Sequence, residues 1–203
     1  MAHNDSEACG GNLATMRLEW CLAEGAQIMF DAITRAMPRD FAAAWDLYTD
    51  VCTQQEHDAF TPLWTLGVYP AKDDIRGYVE AGELYLGWQN GQLVGAMAIV
   101  GHEDPEYVDV PWITSVEPDE VAVIHMLAVH PLARGQHLGA ELVREAIRLA
   151  RKAGKRAVHL DVVPGNLAAS RLYEAEGFTY ACTHQVFYED TGRMDFDMYE
   201  LVL

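Results

Sequence analysis

VAVIHMLAVHPLARGQHLGAELVREAIRLA, residues 121–150, is the stretch whose reading decides the fold. Val121, Val123, Ile124, Met126, Leu127 and Val129 make an apolar, β-branched run of strand length, closed by His130-Pro131. Leu138, Leu142, Val143, Ala146, Ile147 and Ala150 then recur at helical spacing, with Glu141, Arg144, Glu145 and Arg148 on the opposite face, which predicts an amphipathic helix. Between strand and helix, Arg134-Gly135-Gln136-His137-Leu138-Gly139-Ala140 brings backbone N–H groups to the helix start. There, unpaired donors and the positive end of the helix dipole favour a phosphate. A glycine-containing turn before a helix is also an ordinary connection, so an anion site needs a second signal.

That signal is Asn166-Leu-Ala-Ala-Ser170-Arg-Leu-Tyr173-Glu-Ala-Glu-Gly177-Phe178, a helix with an Asn suited to cap its start and a Gly to end it. Together the two stretches resemble the GNAT superfamily of N-acetyltransferases. The first is similar to that family's acetyl-CoA pyrophosphate loop, (Gln/Arg)-x-x-Gly-x-(Gly/Ala), opened by Arg134 and closed by Gly139, with His137 where the middle glycine usually stands. The second is similar to the motif in which Asn begins a helix, Tyr follows seven residues later and Gly-Phe ends it. The resemblance covers residues 83–203. It implies an α/β fold with a mixed, mostly antiparallel central sheet flanked by helices and split between the central strand and the next. It also implies acetyl-CoA (coenzyme A) as cofactor. The backbone of Leu127, Ala128 and Val129 would lie along the pantetheine arm, and Arg134, Gly135, Gln136, His137, Leu138, Gly139 and Ala140 would hold the pyrophosphate. Asn166 and Ser170 would add side-chain contacts, and Tyr173 would meet the thioester end. His137 is compatible with this if it already has helical backbone, because a Cβ is excluded mainly where φ must be positive.

The chain has 203 residues, half of them hydrophobic, enough to bury a substantial core. Residues 1–26 read as an N-terminal extension, flexible or helical through Leu13, Met16, Leu18 and Leu22, and residues 27–203 as a single N-acetyltransferase domain. No stretch is as long as a membrane span, and the start lacks the basic-then-apolar order of a secretory signal, so a cytoplasmic location without membrane partner is expected. Cys9, Cys21, Cys52 and Cys182 are scattered, which suits reduced thiols and neither a zinc cluster nor a disulfide framework. The histidines show no metal-ligand spacing, and no metal is expected. A net charge of −17 argues against a nucleic acid held by phosphate neutralisation. Yet Arg134, Arg144, Arg148, Arg151, Lys152, Lys155 and Arg156 make up half of the 14 Lys and Arg residues, a gathering that suits a polyanionic cofactor. For Arg144, Arg148, Arg151 and Lys152 the simpler reading is a solvated face near the negative end of a helix dipole.

In chain order, a short strand is expected over residues 27–33, a helix after Pro38 through Phe41, Ala44, Trp45, Leu47, Tyr48 and Val51, and a second helix over residues 73–81. Asn90-Gly91 between two strand-like runs predicts a hairpin. Residues 102–118, acidic and holding Pro105, Pro111 and Pro118, read as a long loop with a short extended piece at Trp112-Ile113. Gly154 should end the main helix, residues 156–162 form the next strand, and residues 178–203 a closing hairpin whose edge gives a homodimer a surface to form on.

Acetyl transfer to an amine needs the reactants held together, a route for the amine proton and a proton for the departing thiolate. Tyr173 is the candidate acid, at the position of the family's acid; its alternative is packing with Leu172 and Phe178. His125 is the candidate base. Strand alternation places it with Val123, Leu127 and Val129, and residues 124–130 resemble the His-bearing central strand of arylalkylamine N-acetyltransferases, although Val123 stands where those have a second His. The alternative is a hydrogen-bonded core histidine. Glu120 is the substitute base, within an acidic run of Asp104, Glu106, Asp109, Glu117, Asp119 and Glu120 that is either a solvated surface or a rim attracting a cationic amine. Trp64, Tyr69 and Trp112 are candidate walls for that amine. The function expected is an N-acetyltransferase acting on a small or peptidyl primary amine by direct transfer in a ternary complex. A non-catalytic acyl-CoA sensor is the alternative.

Overall fold

In the computed structural model, which describes residues 29–203 other than 108 and 190, the apolar run is a strand, β4 (Val121–Val129), and the periodic stretch after it is a helix, α3 (Leu138–Lys152). Leu138, Leu142, Val143, Ala146, Ile147 and Ala150 are buried, and most of them pack with Ala122, Ile124, Leu160 and Tyr199 of the sheet. Each Leu, Ile or Val so removed from water contributes roughly 1.5–3 kcal/mol, so the helix is held by its apolar stripe. Gly154 ends it with a φ of 74°; its N–H meets Arg151 O, and that of Lys155 meets Ala150 O.

The full order is β1 (Ala32–Arg35), α1 (Phe41–Gln55), α2 (Lys72–Ala81), β2 (Leu84–Gln89), β3 (Gln92–Val100), β4, α3, β5 (Ala157–Val162), α4 (Leu167–Ala175), β6 (Thr179–Tyr188) and β7 (Gly192–Val202). Among the described residues the strands form one seven-stranded sheet, ordered β1-β2-β3-β4-β5-β7-β6. Every neighbouring pair is antiparallel except β4 with β5. A parallel pair needs a crossover, and α3 supplies it. Asn90 and Gly91 make the β2–β3 turn with φ of 51° and 74°, as a tight hairpin requires. Helices α1 and α2 cover one face around Tyr48, Ile75, Leu84 and Met126, while α3 and α4 cover the other. The loop from β3 to β4 lies on the first face, against Val121, Val123, Phe196 and Met198.

Several local expectations change. Strand β1 begins at Ala32, later than expected, and the helix read through Leu13 and Leu22 lies outside the described residues. Trp112-Ile113 is not a strand: the N–H groups of Ile113 and Thr114 donate to the Glu200 carboxylate at 2.8 and 3.1 Å, so a side chain replaces a ladder. Strand β4 is itself interrupted. Its register with β3 shifts between Ala96 and Ala98, leaving Met126 and Leu127 opposite Met97, and Met126 has a φ of 53°. One inserted residue reverses the alternation of faces. Ala122 and Ile124 before the bulge, and Leu127 and Val129 after it, all meet the α3 side. His125 therefore does not share a face with Leu127 and Val129; it faces the α2 side and stacks on Tyr78.

Candidate active site

Strands β4 and β5 pair only at Val121–Ala157, Ala122–Val158 and Val123–His159. Beyond these the bulge turns β4 aside, and Tyr48 of α1 fixes the new course by donating to Met126 O at 2.8 Å. The strands part around a cleft of ≈ 760 Å³, mouth included, a size that admits a small molecule. Ile124, His125, Met126 and Leu127 line one side, Asp161, Val162 and Val163 the other. His130 N–H donates to Val94 O, and Ala96 pairs with Ala128. Antiparallel alternation then turns the backbone groups of Leu127 and Val129 away from β3 and into the gap, whereas those of Ala128 serve β3.

At the start of α3, Gly135 has a φ of 77° and His137 a φ of 63°. His137 is the N-cap in the left-handed region, so the condition of helical backbone at that position is not met. Histidine enters that region more readily than most side chains, at a cost of about 1–3 kcal/mol. Its carbonyl receives Ala140 N–H at 3.0 Å. Among the described residues no protein acceptor meets the N–H groups of residues 135–139, which gather at the positive end of a 15-residue helix. Such a cluster suits a phosphate. Gln136 adds a buried Oε1 without a partner, while Leu138 and Ala140 are buried and anchor the turn. A Cβ on Gly139 would lie 3.2 Å from Leu172 Cδ2, so the glycine lets α3 approach α4. Arg134 buttresses the loop: its guanidinium pairs with Asp58, and its Nε lies 3.4 Å from Val129 O. Much of the remaining cationic run is answered locally, in the pairs Arg144–Glu176, Arg148–Glu145 and Arg156–Glu120.

Tyr173 reaches the cleft from α4, whose N-cap Asn166 receives Ala169 N–H at 3.2 Å. Asn166 and Ala169 line the cleft too, whereas Ser170 lies outside the lining, beside Tyr199. The Tyr173 ring packs edge-on against Phe178. Burial first, and the charge of Asp161 second, push its phenol well above the ordinary tyrosine value, so it stays a proton donor.

On the other face of the sheet, His125 Nε2 lies 3.3 Å from Asp104 Oδ2, and its ring stacks on Tyr78. Burial pushes the Tyr78 phenol up to about 12, partly offset by the neighbouring Tyr69 hydroxyl. Asp161 of β5 joins them, a residue the sequence reading missed. It accepts from the Tyr107 hydroxyl and, at 3.1 Å, from that of Tyr188. Burial raises its pKa, opposed by the Tyr107 bond and by His125, which brings a carboxylate base nearer to neutrality. A signal existed: in Ala157–Val162, AVHLDV, His159 and Asp161 are polar at alternate positions of an apolar strand, so one face had to meet polar partners. Glu120 lies outside the cleft lining. Its carboxylate accepts Glu117 N–H and pairs with Arg156 at 2.9 Å, and these bonds lower its pKa. Trp64 and Tyr69 line the cleft with Tyr188 and Phe196, whereas Trp112 stacks on His159.

A sequence profile of the acetyltransferase (GNAT) family matches residues 41–178. An uncharacterised N-acetyltransferase of Methanocaldococcus jannaschii is 38% identical over 89 residues, 44% of this chain and 35% of that one. Mycothiol acetyltransferase of Thermomonospora curvata is 33% identical over 116 residues, 57% of this chain and 34% of that one. The chain spans about a third of the length of these curated relatives. The structure of yncA from Salmonella typhimurium with its cofactor acetyl-CoA superimposes with a TM-score of 0.61 at 22% identity, covering 85% of this chain and 93% of that one, a likeness of fold.

Proposed function

Because the chain belongs to the acetyltransferase (GNAT) family, we propose that it is an N-acetyltransferase that moves an acetyl group from acetyl-CoA to a primary amine by direct transfer in a ternary complex. Acetyl-CoA is the donor GNAT acetyltransferases use, and when bound it supplies the acetyl group as a thioester. The observation that carries the reading is a single cleft with a proton donor, Tyr173, toward one face of the sheet and proton acceptors, His125 and Asp161, toward the other. The gap-facing amides of Leu127 and Val129 suit the amide-bearing arm of the cofactor, and the N–H groups of residues 135–139 suit its pyrophosphate. An amine must be neutral to attack, so the His125 ring, held by Asp104 at Nε2 and accepting at Nδ1, or the Asp161 carboxylate takes its proton. Tyr173 Oη holds the proton that a departing sulfur requires. Among the described residues no cysteine or serine lines the cleft, which favours direct transfer over an acyl-enzyme.

Trp64, Tyr69, Tyr188 and Phe196, with Asp161 among them, suit a cationic amine on an apolar body. The test is acetylation across an amine panel with mass detection of products. Acetyl-CoA binding without amine-dependent thiol release would replace catalysis by sensing.

A further inference from the structure

His159 of β5 is 0% exposed, and none of the steps above uses it. Its Nδ1 lies 2.7 Å from Glu103 Oε2, and its Nε2 lies 3.3 Å from Glu200 Oε1. An ionised carboxylate accepts and cannot donate, so a ring held between two ionised carboxylates carries a proton on each nitrogen, as an imidazolium does. Glu200, itself 1% exposed, also receives Ile113 N–H and Thr114 N–H, so its carboxyl oxygens face donors from the loop as well as the ring. Trp112 stacks over the ring at 3.7 Å and 18°, the arrangement in which an aromatic face attracts a cation. Across the ladder β4 offers only Val123.

Glu103 and Trp112 both belong to the loop from β3 to β4, and Glu200 of β7 holds that loop again through Ile113 and Thr114. The same loop delivers Asp104 to His125 and Tyr107 to Asp161. Consecutive acids, Glu103 and Asp104, thus engage histidines on adjacent strands. We propose that His159 is a buried cation that fastens this loop to the sheet and so positions His125 and Asp161; it is a positioning residue and touches no substrate. Only its kinetic consequence rests on the acetyl-transfer reading, because the charge and the fastening stand without it.

The test uses the full chain labelled with ¹⁵N-histidine. At neutral pH, long-range ¹H–¹⁵N NMR should show one histidine with protons on both ring nitrogens, and that signal should vanish in His159→Gln. A neutral pattern, with one bare nitrogen, overturns the proposal whether or not the protein transfers acetyl groups. Glu103→Gln removes one carboxylate without touching β5, and serves if His159→Gln does not fold. It should speed hydrogen exchange at the Ile113 and Thr114 amides; unchanged exchange there overturns the fastening. In an active enzyme, Glu103→Gln should lower kcat/KM for the amine by up to the order of 10²-fold, the cost of about an ångström of misplacement. Acetyl-CoA affinity, set at the distant α3 loop, should not change. Unchanged kinetics, or a parallel loss of acetyl-CoA affinity, refutes the positioning role.

Discussion

Replacing Tyr173 by Phe removes one oxygen from the cleft and nothing else that packs. The ring keeps its edge contact with Phe178, 5.6 Å between centroids, and its hydroxyl makes no hydrogen bond among the described residues. With no cavity made and no polar group stranded, stability should stay within about 0.5 kcal/mol of the parent. What disappears is the proton for the departing sulfur. General acids contribute roughly 10²–10⁴-fold; a thiolate needs less help than most leaving groups, so kcat should fall on the order of 10²-fold, about 2.7 kcal/mol of barrier. The pH dependence has a definite sign. Burial holds the phenol protonated beyond the ordinary tyrosine range, so kcat of the parent should not decline at alkaline pH where an exposed tyrosine would ionise. The assay is thiol release at saturating acetyl-CoA and amine, with CoA affinity titrated separately and expected to be unchanged. A variant with kcat within about twofold of the parent would refute the reasoning, being far from the loss expected of an acid, and would leave Tyr173 as packing.

Three further outcomes are expected. Asp161→Asn should lower kcat/KM yet keep or raise the melting temperature near neutral pH. A carboxyl whose folded pKa is raised weakens stability as pH climbs from the ordinary aspartate value through the raised one, a slope Asn removes; whichever of Asp161→Asn and His125→Ala loses a substrate-independent limb of the kcat/KM profile identifies the base. CoA should raise the melting temperature much more than dephosphorylated pantetheine, and Gly139→Val, whose Cβ would press Leu172 from 3.2 Å, should reduce that shift; equal shifts from both ligands remove the phosphate-loop claim. Cationic amines should be preferred, with kcat/KM falling as ionic strength rises on a chain of net charge −17; a salt-independent rate with the best amine counts against it.

What the sequence made legible was local. The strand, loop and helix of residues 121–152 declare themselves through periodicity, the β2–β3 hairpin through Asn-Gly, and α4 through the Asn166 cap, because each depends on neighbours a few positions away. Met126 was not legible: its positive φ belongs to a register shift against β3, and nothing in an apolar run marks where one residue is inserted. The face of His125 went wrong with it. The acidic loop was opaque for another reason. Charge alone cannot separate Glu103 and Asp104, which turn inward to histidines, from Glu117 and Asp119, which stay exposed. Arg134, read as a phosphate ligand, meets Asp58, a partner distant in sequence.

The short ladder between β4 and β5 makes the sheet two half-sheets that share a narrow neck. The mouth can widen without any strand unravelling: a tilt of about 5° at the neck, carried along a strand of roughly 20 Å, moves its far end by roughly 2 Å. The two rims also answer to different parts of the chain, since one follows β4 with α1 behind it and the other follows β5 with the β6–β7 hairpin beside it. On the proposed function, substitutions in that hairpin should retune which acceptor is admitted and leave the backbone of Leu127 and Val129 as it was. Over evolutionary time, such a joint lets one donor chemistry be passed on while the acceptors it serves diverge.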